Sequence, residues 1–259
     1  MESRPSTEEA HEHRHSHSAH EDGVFIQQHW SEYTPEQHGV WQTLYRRRME
    51  HLETCGSRVY LDGARAIGLE PERIPDLAAM NDRLAPRTGW NAVAVSGFLP
   101  AQQFFECLAE RRFPTTVTIR PPDSLDYIPE PDIFHDVFGH VPLHADPVFA
   151  DYLQTFGQLA SHARSDEDRE RMTRLFWFTV EFGLVLEAGQ IKAYGSGLIS
   201  SHGDCRNALS PACRKRPFSL EAVFTQDFEI DHVQPILFVL DSFDQLFEAT
   251  QEAKRRLNL

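Results

Sequence analysis

Apolar residues recur at intervals of three and four along most of the chain, which is the spacing of helices with one buried face. The clearest case is residues 38–52, where Val40, Trp41, Leu44 and Leu52 fall on one side of a predicted helix. The same spacing predicts six further helices, at residues 57–69, 73–84, 102–111, 147–163, 166–187 and 243–257. The helix at 166–187 begins with an acidic turn, which suits the helix dipole, and Gly189 is expected to cap its end.

Segments with strand character are few and short. Residues 91–96 (NAVAVS) alternate and residues 115–119 (TTVTI) are β-branched, so both are predicted strands. The remaining predictions are a turn at 97–100, a loop rich in Pro and Asp at 120–131, and short strand or helical pieces at 190–194 and 218–228. The pattern therefore predicts a mainly α fold with a few short β-strands, in one domain that runs from about residue 21 to residue 259.

The first twenty residues differ from the rest. Residues 1–20 hold five histidines and almost no apolar side chains, so they cannot bury enough surface to offset the entropy of ordering. We expect this His-rich tail to be disordered. It could bind a divalent metal loosely, or it could have no role.

The net charge of the chain argues against a nucleic-acid partner. The formal net charge is −14 and the pI is about 5.4, whereas nucleic-acid binding needs a basic surface.

No apolar run reaches transmembrane length, and the residues after Met1 do not form the apolar core of a signal peptide. The four cysteines have no C-x-x-C spacing. We therefore expect a cytoplasmic protein with reduced thiols that binds neither nucleic acid nor membrane.

The densest chemistry lies in PDIFHDVFGHVPL, which carries His135 and His140. On a straight α-helix, residues five apart point about 140° away from each other, so the two imidazoles would not share a face. Gly139 is a position at which the helix can end and let His140 turn back towards His135. By itself this spacing is weak evidence for a metal site, and it favours two core histidines bonded to backbone carbonyls over two metal ligands.

Glu181 lies inside the nearly continuous apolar run RLFWFTVEFG. A buried carboxylate needs a partner, which is either a basic side chain or a metal ion. Together with the two histidines it completes the two-His, one-carboxylate set of non-haem iron(II) oxygenases. Asp132 and Asp136 are competing carboxylates that this reasoning does not exclude.

Three long motifs carry a family resemblance. PEPDIFHDVFGHVPL, WFTVEFG and IKAYGSGLISS, with RRFP and LDYIPEPD, resemble the tetrahydropterin-dependent aromatic amino acid hydroxylases, with the short bacterial phenylalanine 4-hydroxylases as the nearest branch. The resemblance runs from about residue 33 to the C-terminus. It implies the single catalytic domain of that family, and a monooxygenase that uses iron(II), a reduced pterin and O2 to hydroxylate L-phenylalanine to tyrosine.

The resemblance also implies roles for individual residues. The iron(II) ligands and catalytic residues would be His135, His140 and Glu181. The pterin would lie against the turn Gly97-Phe98-Leu99, stack on Phe104 and reach Asp136 through water. For Phe104, plain core packing is the alternative.

The substrate site follows in the same way. Arg120 would bind the amino acid carboxylate, Trp177 and Phe182 would contact the ring, Ser200 would lie near the substrate and a histidine ligand, and Pro131 would shape the pocket. The tryptophan enzymes of the family typically have Phe in place of Trp177, so phenylalanine is favoured. Two departures from the family pattern, Ile128 and Ser196, leave hydroxylation at the meta carbon open.

Two other functions are compatible with the same set of candidate metal ligands. A zinc hydrolase would use two histidines and a glutamate without pterin or O2. A non-catalytic descendant would bind an amino acid or a pterin.

The chain has no room for the regulatory domain or the tetramerisation helix of the animal enzymes, so we expect a monomer without an allosteric domain.

Overall fold

The structure, a computed structural model, describes residues 23–126, 128–230 and 232–257. The predicted disordered tail at 1–20 lies outside the described residues.

Helices make up most of the described chain, which confirms the predicted fold class. In this part of the chain the α-helices are α1 (Pro35–Cys55), α2 (Arg58–Ala66), α3 (Leu77–Thr88), α4 (Ala101–Ala109), α5 (Pro147–His162), α6 (Asp166–Phe176), α7 (Ser196–Ser200), α8 (His202–Leu209), α9 (Leu220–Thr225) and α10 (Asp244–Arg256). Two wider π-helical segments, Phe134–His140 and Trp177–Glu181, and two 3-10 segments, Trp30–Glu32 and Val141–Ala145, accompany them.

The strands form two small sheets. They are β1 (Asn91–Val95), β2 (Arg112–Thr116), β3 (Leu184–Glu187), β4 (Gln190–Ala193), β5 (Arg214–Pro217) and β6 (Ile236–Leu240). β1 and β2 pair in parallel, with Asn91 opposite Arg112. The second sheet has the order β4-β3-β6-β5, in which β3 and β4 form an antiparallel hairpin and the other neighbours are parallel.

Helix starts follow from capping side chains. Thr34 and Gln37 form a reciprocal capping box at the start of α1, where Pro35 occupies the first turn. Asp146 caps α5 by accepting a hydrogen bond from the Phe149 N–H at 2.9 Å. Ser165 caps α6, whose first turn is acidic as predicted.

The core is one continuous cluster that is rich in aromatic side chains. Trp41 of α1 lies edge-on to Phe134, with ring centroids 5.4 Å apart, and Phe134 stacks on Phe138 at 4.5 Å. All three side chains are fully buried. The first π-helical segment is therefore fixed from behind by apolar packing, and its histidines face the other way.

Several predicted boundaries are wrong. The helix predicted over 166–187 ends at Glu181, and its last residues instead form β3, which pairs with β4 and β6. Gly189, with φ +78°, lies in the hairpin turn between β3 and β4 rather than at a helix end. The strand predicted at 115–119 begins at Arg112 and ends at Thr116, because pairing with β1 sets its register. The helix predicted from 73 begins at Leu77, after the Asp76 cap.

Among the described residues, no helix combines the length and apolar character needed to cross a membrane.

Candidate metal centre

Two π-helical segments bring the three predicted ligands together. A π-helix bonds each N–H to a carbonyl five residues back, so residues five apart lie on nearly the same side. His135 and His140 fall in one such segment, and Glu181 ends the other, where the Phe182 N–H donates to the Trp177 carbonyl at 2.9 Å. The predicted helix end at Gly139 is wrong, because the helical turn widens there and continues to His140.

The ligand atoms converge on one point. His140 Nε2 lies 3.3 Å from His135 Nε2 and 3.3 Å from Glu181 Oε1. Ligands about 2.1 Å from an ion and at right angles to each other lie about 3 Å apart, so these separations fit a shared metal ion. In the described part of the chain, these three residues are the one group of His, Cys, Asp or Glu side chains whose ligand atoms all lie within 4.8 Å of one another.

Ser200 sets the protonation of the first histidine. Its Oγ donates its hydrogen to the Ser196 carbonyl at 2.8 Å and lies 2.9 Å from His135 Nδ1. A hydroxyl whose only hydrogen is already donated can only accept, so His135 Nδ1 carries the proton. The lone pair of His135 therefore lies on Nε2, the atom that faces the ligand cluster.

Glu181 is ionised in this environment. Burial raises the pKa of its carboxyl group, but His140, His135 and the Ser196 hydroxyl outweigh that effect and lower the pKa to about 2. Ser196 Oγ donates to Glu181 Oε2 at 2.7 Å. As metal ligands, two imidazoles without a proton on the ligating nitrogen and one carboxylate form a donor set of charge −1, which suits a divalent transition metal such as iron(II).

The competing aspartates are engaged elsewhere. Asp132 accepts hydrogen bonds at 2.8 Å from Arg120 Nε and Nη2, and one at 3.0 Å from the His135 N–H. Burial opposes ionisation of Asp132, but Arg120 overcomes this and lowers its pKa. Asp136 Oδ2 accepts from the Thr116 N–H at 2.7 Å and from the Thr116 hydroxyl at 2.8 Å. Both side chains are thus excluded from the ligand cluster, although they lie on the same segment.

Two glycines, Gly183 and Gly195, allow neighbouring backbone and side-chain atoms to pack closely against the segment that carries Glu181. A Cβ on Gly183 would lie 2.1 Å from the Tyr194 ring. A Cβ on Gly195 would lie 2.3 Å from the Gly183 nitrogen and 2.5 Å from the Glu181 carbonyl oxygen. Any larger side chain at Gly195 must move the backbone that carries Glu181.

The predicted ring-contacting residues form one aromatic group. Trp177 and Phe182 lie with ring centroids 4.7 Å apart, and Phe228 stacks on Trp177 at 4.5 Å. Sequence reasoning missed Phe228, because no local motif marks it. The Trp177 indole N–H is buried and has no hydrogen-bond partner in the described residues.

Phe104 is linked to the metal centre by the ring of Phe113, a residue that sequence reasoning missed. Its ring lies edge-on to Phe113 at 6.0 Å, and Phe113 lies 4.7 Å from the His140 ring. The turn at Gly97-Phe98-Leu99 comes directly before α4, the helix that carries Phe104, and Phe98 is 76% exposed. The carbonyl oxygen of Pro131, another predicted pocket residue, lies 3.5 Å from the Thr116 hydroxyl oxygen.

Two imidazoles and a carboxylate on a mainly helical scaffold define the class of mononuclear, facial-triad metal enzymes. The model of the biopterin-dependent aromatic amino acid hydroxylase family matches residues 11–258. A phenylalanine-4-hydroxylase of Caulobacter vibrioides is 43% identical over 226 residues, which cover 87% of this chain and 77% of that protein. The chain therefore belongs to the biopterin-dependent aromatic amino acid hydroxylase family.

Solved structures agree with this assignment. Chromobacterium violaceum phenylalanine hydroxylase with bound iron(III) and oxidised 7,8-dihydrobiopterin is 39% identical, with a TM-score of 0.85, over 90% of this chain and 86% of that one. The structure of the same enzyme with iron and phenylalanine is 38% identical, again with a TM-score of 0.85, over 93% of this chain and 88% of that one.

Proposed function

We propose that this protein is an iron(II)- and tetrahydropterin-dependent monooxygenase that converts L-phenylalanine and O2 to tyrosine. The observation that carries the proposal is the convergence of His135, His140 and Glu181, with the His135 tautomer fixed by Ser200. These three residues would hold the iron. When bound, iron and reduced pterin together activate O2, so that one oxygen atom enters the aromatic ring and the other leaves as water.

Arg120 is proposed to bind the carboxylate of the substrate. A guanidinium has five N–H bonds, and three side-chain hydrogen bonds of Arg120 go to Asp132 and the Leu125 carbonyl, which leaves two for a ligand. Asp132 also accepts from the His135 N–H. The residue that orients the substrate is thus tied, through one carboxylate, to the segment that carries the metal ligands.

The aromatic group Trp177, Phe182 and Phe228 is proposed to hold the ring of the substrate. Flat apolar side chains of this kind bind a phenyl ring by offset and edge contacts. The indole of Trp177 fills space that a tryptophan substrate would need. This supports phenylalanine, and attack at the para carbon is the expected outcome. Ser196, whose hydroxyl bonds the metal-binding carboxylate, makes meta attack the alternative to test.

The pterin is proposed to lie between the turn at Gly97-Phe98-Leu99 and the ring of Phe104. An exposed Phe98 and a half-buried Phe104 offer aromatic faces to a flat ring. Asp136 could accept a hydrogen bond through its Oδ1, since both of its hydrogen bonds from Thr116 go to Oδ2. These side chains bind and orient the pterin.

The test is a product analysis. Purified protein receives iron(II), a tetrahydropterin, O2 and an equimolar mixture of phenylalanine, tyrosine and tryptophan, and chromatography separates para- from meta-tyrosine. We expect para-tyrosine, and its loss in Glu181→Ala. Meta-tyrosine or 5-hydroxytryptophan would overturn the regiochemistry or the substrate. The absence of any pterin-dependent product from folded, iron-loaded protein would favour a zinc hydrolase or a binding protein.

We further propose that residues 21–259 form the catalytic domain, and that the protein is a cytoplasmic monomer. The formal net charge of −14 opposes self-association, and a reducing compartment suits cysteines that form no disulfide. Light scattering during gel filtration tests the oligomeric state, and fractionation of the source cells tests the compartment.

A further inference from the structure

Two cysteines that are distant in sequence lie side by side. Cys55 ends α1 and Cys205 lies in α8, and their sulfur atoms are 3.6 Å apart. Cys205 is buried, whereas Cys55 is half-buried and in contact with solvent. A disulfide bond is about 2.05 Å long, so the two sulfurs would have to approach each other by roughly 1.5 Å to form one.

A buried cation lies beside this pair. Arg48 is 3% exposed, and it donates to the Ile199 carbonyl at 2.7 Å and to the Leu198 carbonyl at 2.9 Å. Its remaining nitrogen, Nη1, is buried and has no hydrogen-bond partner in the described residues. Within the same residues, no carboxylate lies within ion-pair distance of Arg48. Buried charges are normally paired, so this guanidinium needs an anion.

The thiol pair can supply that anion. A hydrogen bond from Cys55 and the positive charge of Arg48 lower the pKa of the Cys205 thiol to about 6, although burial acts in the opposite direction. The pKa of Cys55 is raised, first by its bond to Cys205 and then by burial, so Cys55 keeps its proton. The two opposite pKa shifts favour a thiolate on Cys205 and a thiol on Cys55, with Arg48 as the counter-ion.

We propose that Cys55 and Cys205 form a hydroperoxide-reactive modification site that closes into an intramolecular disulfide. The Cys205 thiolate attacks the terminal oxygen of a hydroperoxide, the O–O bond breaks, and a sulfenic acid forms. The departing alkoxide or hydroxide takes the proton from Cys55. The Cys55 thiolate then attacks the Cys205 sulfur, the S–O bond breaks, and the leaving hydroxide is protonated by solvent to water. The two sulfurs lose two electrons, and the hydroperoxide gains them.

Arg48 connects the thiol pair to the helix next to the metal centre. Arg48 binds the carbonyls of Leu198 and Ile199 in α7, the helix whose Ser196 and Ser200 contact two of the proposed metal ligands. Disulfide formation would remove the negative sulfur that offsets the charge of Arg48. The proposal itself concerns only the thiol chemistry, and it does not depend on the proposed hydroxylase activity.

The sequence allows a direct test, because trypsin places the four cysteines on four different peptides. Cleavage after Arg and Lys releases Cys55 in residues 49–58, Cys107 in 88–111, Cys205 in 193–206 and Cys213 in 207–214. The full-length protein with reduced thiols is treated briefly with hydrogen peroxide and, in a parallel arm that avoids iron–peroxide chemistry, with diamide. Remaining thiols are alkylated before non-reducing digestion and mass spectrometry.

We expect one cross-linked product in both arms, which joins peptides 49–58 and 193–206 and is lighter by two hydrogens than the reduced pair. Dithiothreitol should separate it. Cys107→Ser and Cys213→Ser are the matched controls and should form the same product. In Cys55→Ser the disulfide should be absent, and dimedone should trap a sulfenic acid on Cys205. The rate should be nearly constant between pH 8 and 7, as expected for a thiol that is already ionised.

Three results would overturn the proposal. They are a disulfide that includes Cys107 or Cys213 in place of this pair, unchanged thiols after oxidation, and a rate that rises about tenfold per pH unit between pH 7 and 8 as for an ordinary thiol.

Discussion

Ser196 Oγ donates a hydrogen bond to Glu181 Oε2 at 2.7 Å, and its side chain is fully buried. The other oxygen, Oε1, lies 3.3 Å from His140 Nε2. One hydroxyl therefore fixes the rotation of the carboxylate that completes the ligand cluster.

Replacing Ser196 with Ala should weaken metal binding without unfolding the protein. Outer hydrogen bonds to metal ligands typically change metal affinity by about 10- to 100-fold, and we expect the lower end of this range because only one of several contacts is lost. Titration with cobalt(II), followed by its visible absorption, measures the affinity without any assay of activity. Ser161→Ala, at a half-buried position in the last turn of α5, is the control. An unchanged dissociation constant in Ser196→Ala would show that the hydroxyl does not position Glu181.

Gly195→Ala should displace the Glu181 carboxylate, because it moves the backbone that carries this residue. The added Cβ would lie 2.3 Å from the Gly183 nitrogen and 2.5 Å from the Glu181 carbonyl oxygen, and both are backbone atoms that cannot rotate away. Overpacking of this kind costs about 1–3 kcal/mol of folding free energy. Urea denaturation measures that loss, and metal titration should show weaker binding.

Gly39→Ala is a matched control for this substitution. Gly39 lies inside α1, and nothing lies within 4 Å of the position that an added Cβ would take. Alanine is better than glycine in a helix by about 0.5–1 kcal/mol, so this variant should be more stable than the wild type. If Gly195→Ala were as stable as Gly39→Ala, the close approach would not constrain the glutamate segment.

Asp132→Asn should affect both stability and substrate binding. Asp132 and Arg120 are both largely buried, and the amide would leave the guanidinium without a compensating charge. Removing one partner of a buried ion pair typically costs about 3–5 kcal/mol. Chemical denaturation should show the loss, and the KM for phenylalanine should rise because Arg120 is no longer held. The exposed pair Arg65–Asp62 provides the contrast, since Asp62→Asn should change stability by less than about 1 kcal/mol.

His144 predicts a specific pH dependence. It is fully buried, neither ring nitrogen has a hydrogen-bond partner in the described residues, and its ring stacks on Trp90 at 4.6 Å. Burial, with a smaller effect of His140, holds its pKa well below the usual 6.5. Below pH 6.5 the unfolded chain binds a proton at this position and the folded protein does not. Acid therefore favours unfolding, by about 1.4 kcal/mol for each pH unit below about 6.5 until the folded pKa is reached.

His144→Leu should remove this contribution. Its free energy of unfolding, measured by urea denaturation between pH 7.5 and 5, should fall less steeply than that of the wild type. The variant should also be at least as stable at pH 7.5, because an unpartnered polar ring is replaced by an apolar side chain. His162→Gln, a change at an exposed position, should parallel the wild type. Equal slopes for His144→Leu and the wild type would contradict the prediction.

The metal ligands could be predicted from sequence because they lie in short, distinctive motifs. Their geometry could not be. The spacing of His135 and His140 is wrong for an α-helix, and only the π-helical turn observed between them resolves the conflict. Such a turn depends on packing from behind, where Trp41 of a distant helix contacts Phe134.

Contacts between distant segments account for the other errors. Residues Leu184–Glu187 continue the apolar run of the preceding segment Trp177–Glu181, so periodicity could not separate a strand from a helix there. Pairing with β6, more than fifty residues later in the chain, decides the outcome. Phe228 was missed for the same reason, because its stacking on Trp177 has no local signature.

That stacking makes Trp177→Phe the sharpest test of substrate choice. The smaller ring would leave more room beside Phe182 and Phe228, whose ring centroids lie 4.7 and 4.5 Å from that of the present indole. Pocket contacts of this size discriminate between substrates by about 10- to 200-fold, so the ratio of kcat/KM for tryptophan to that for phenylalanine should rise by about tenfold or more. Competition between the two amino acids in one reaction measures this ratio directly. Phe228→Leu is the companion variant: it removes the support of Trp177 but keeps the indole, so it should raise the KM for phenylalanine without admitting tryptophan. If Trp177→Phe kept the wild-type ratio, Trp177 would not line the ring-binding pocket.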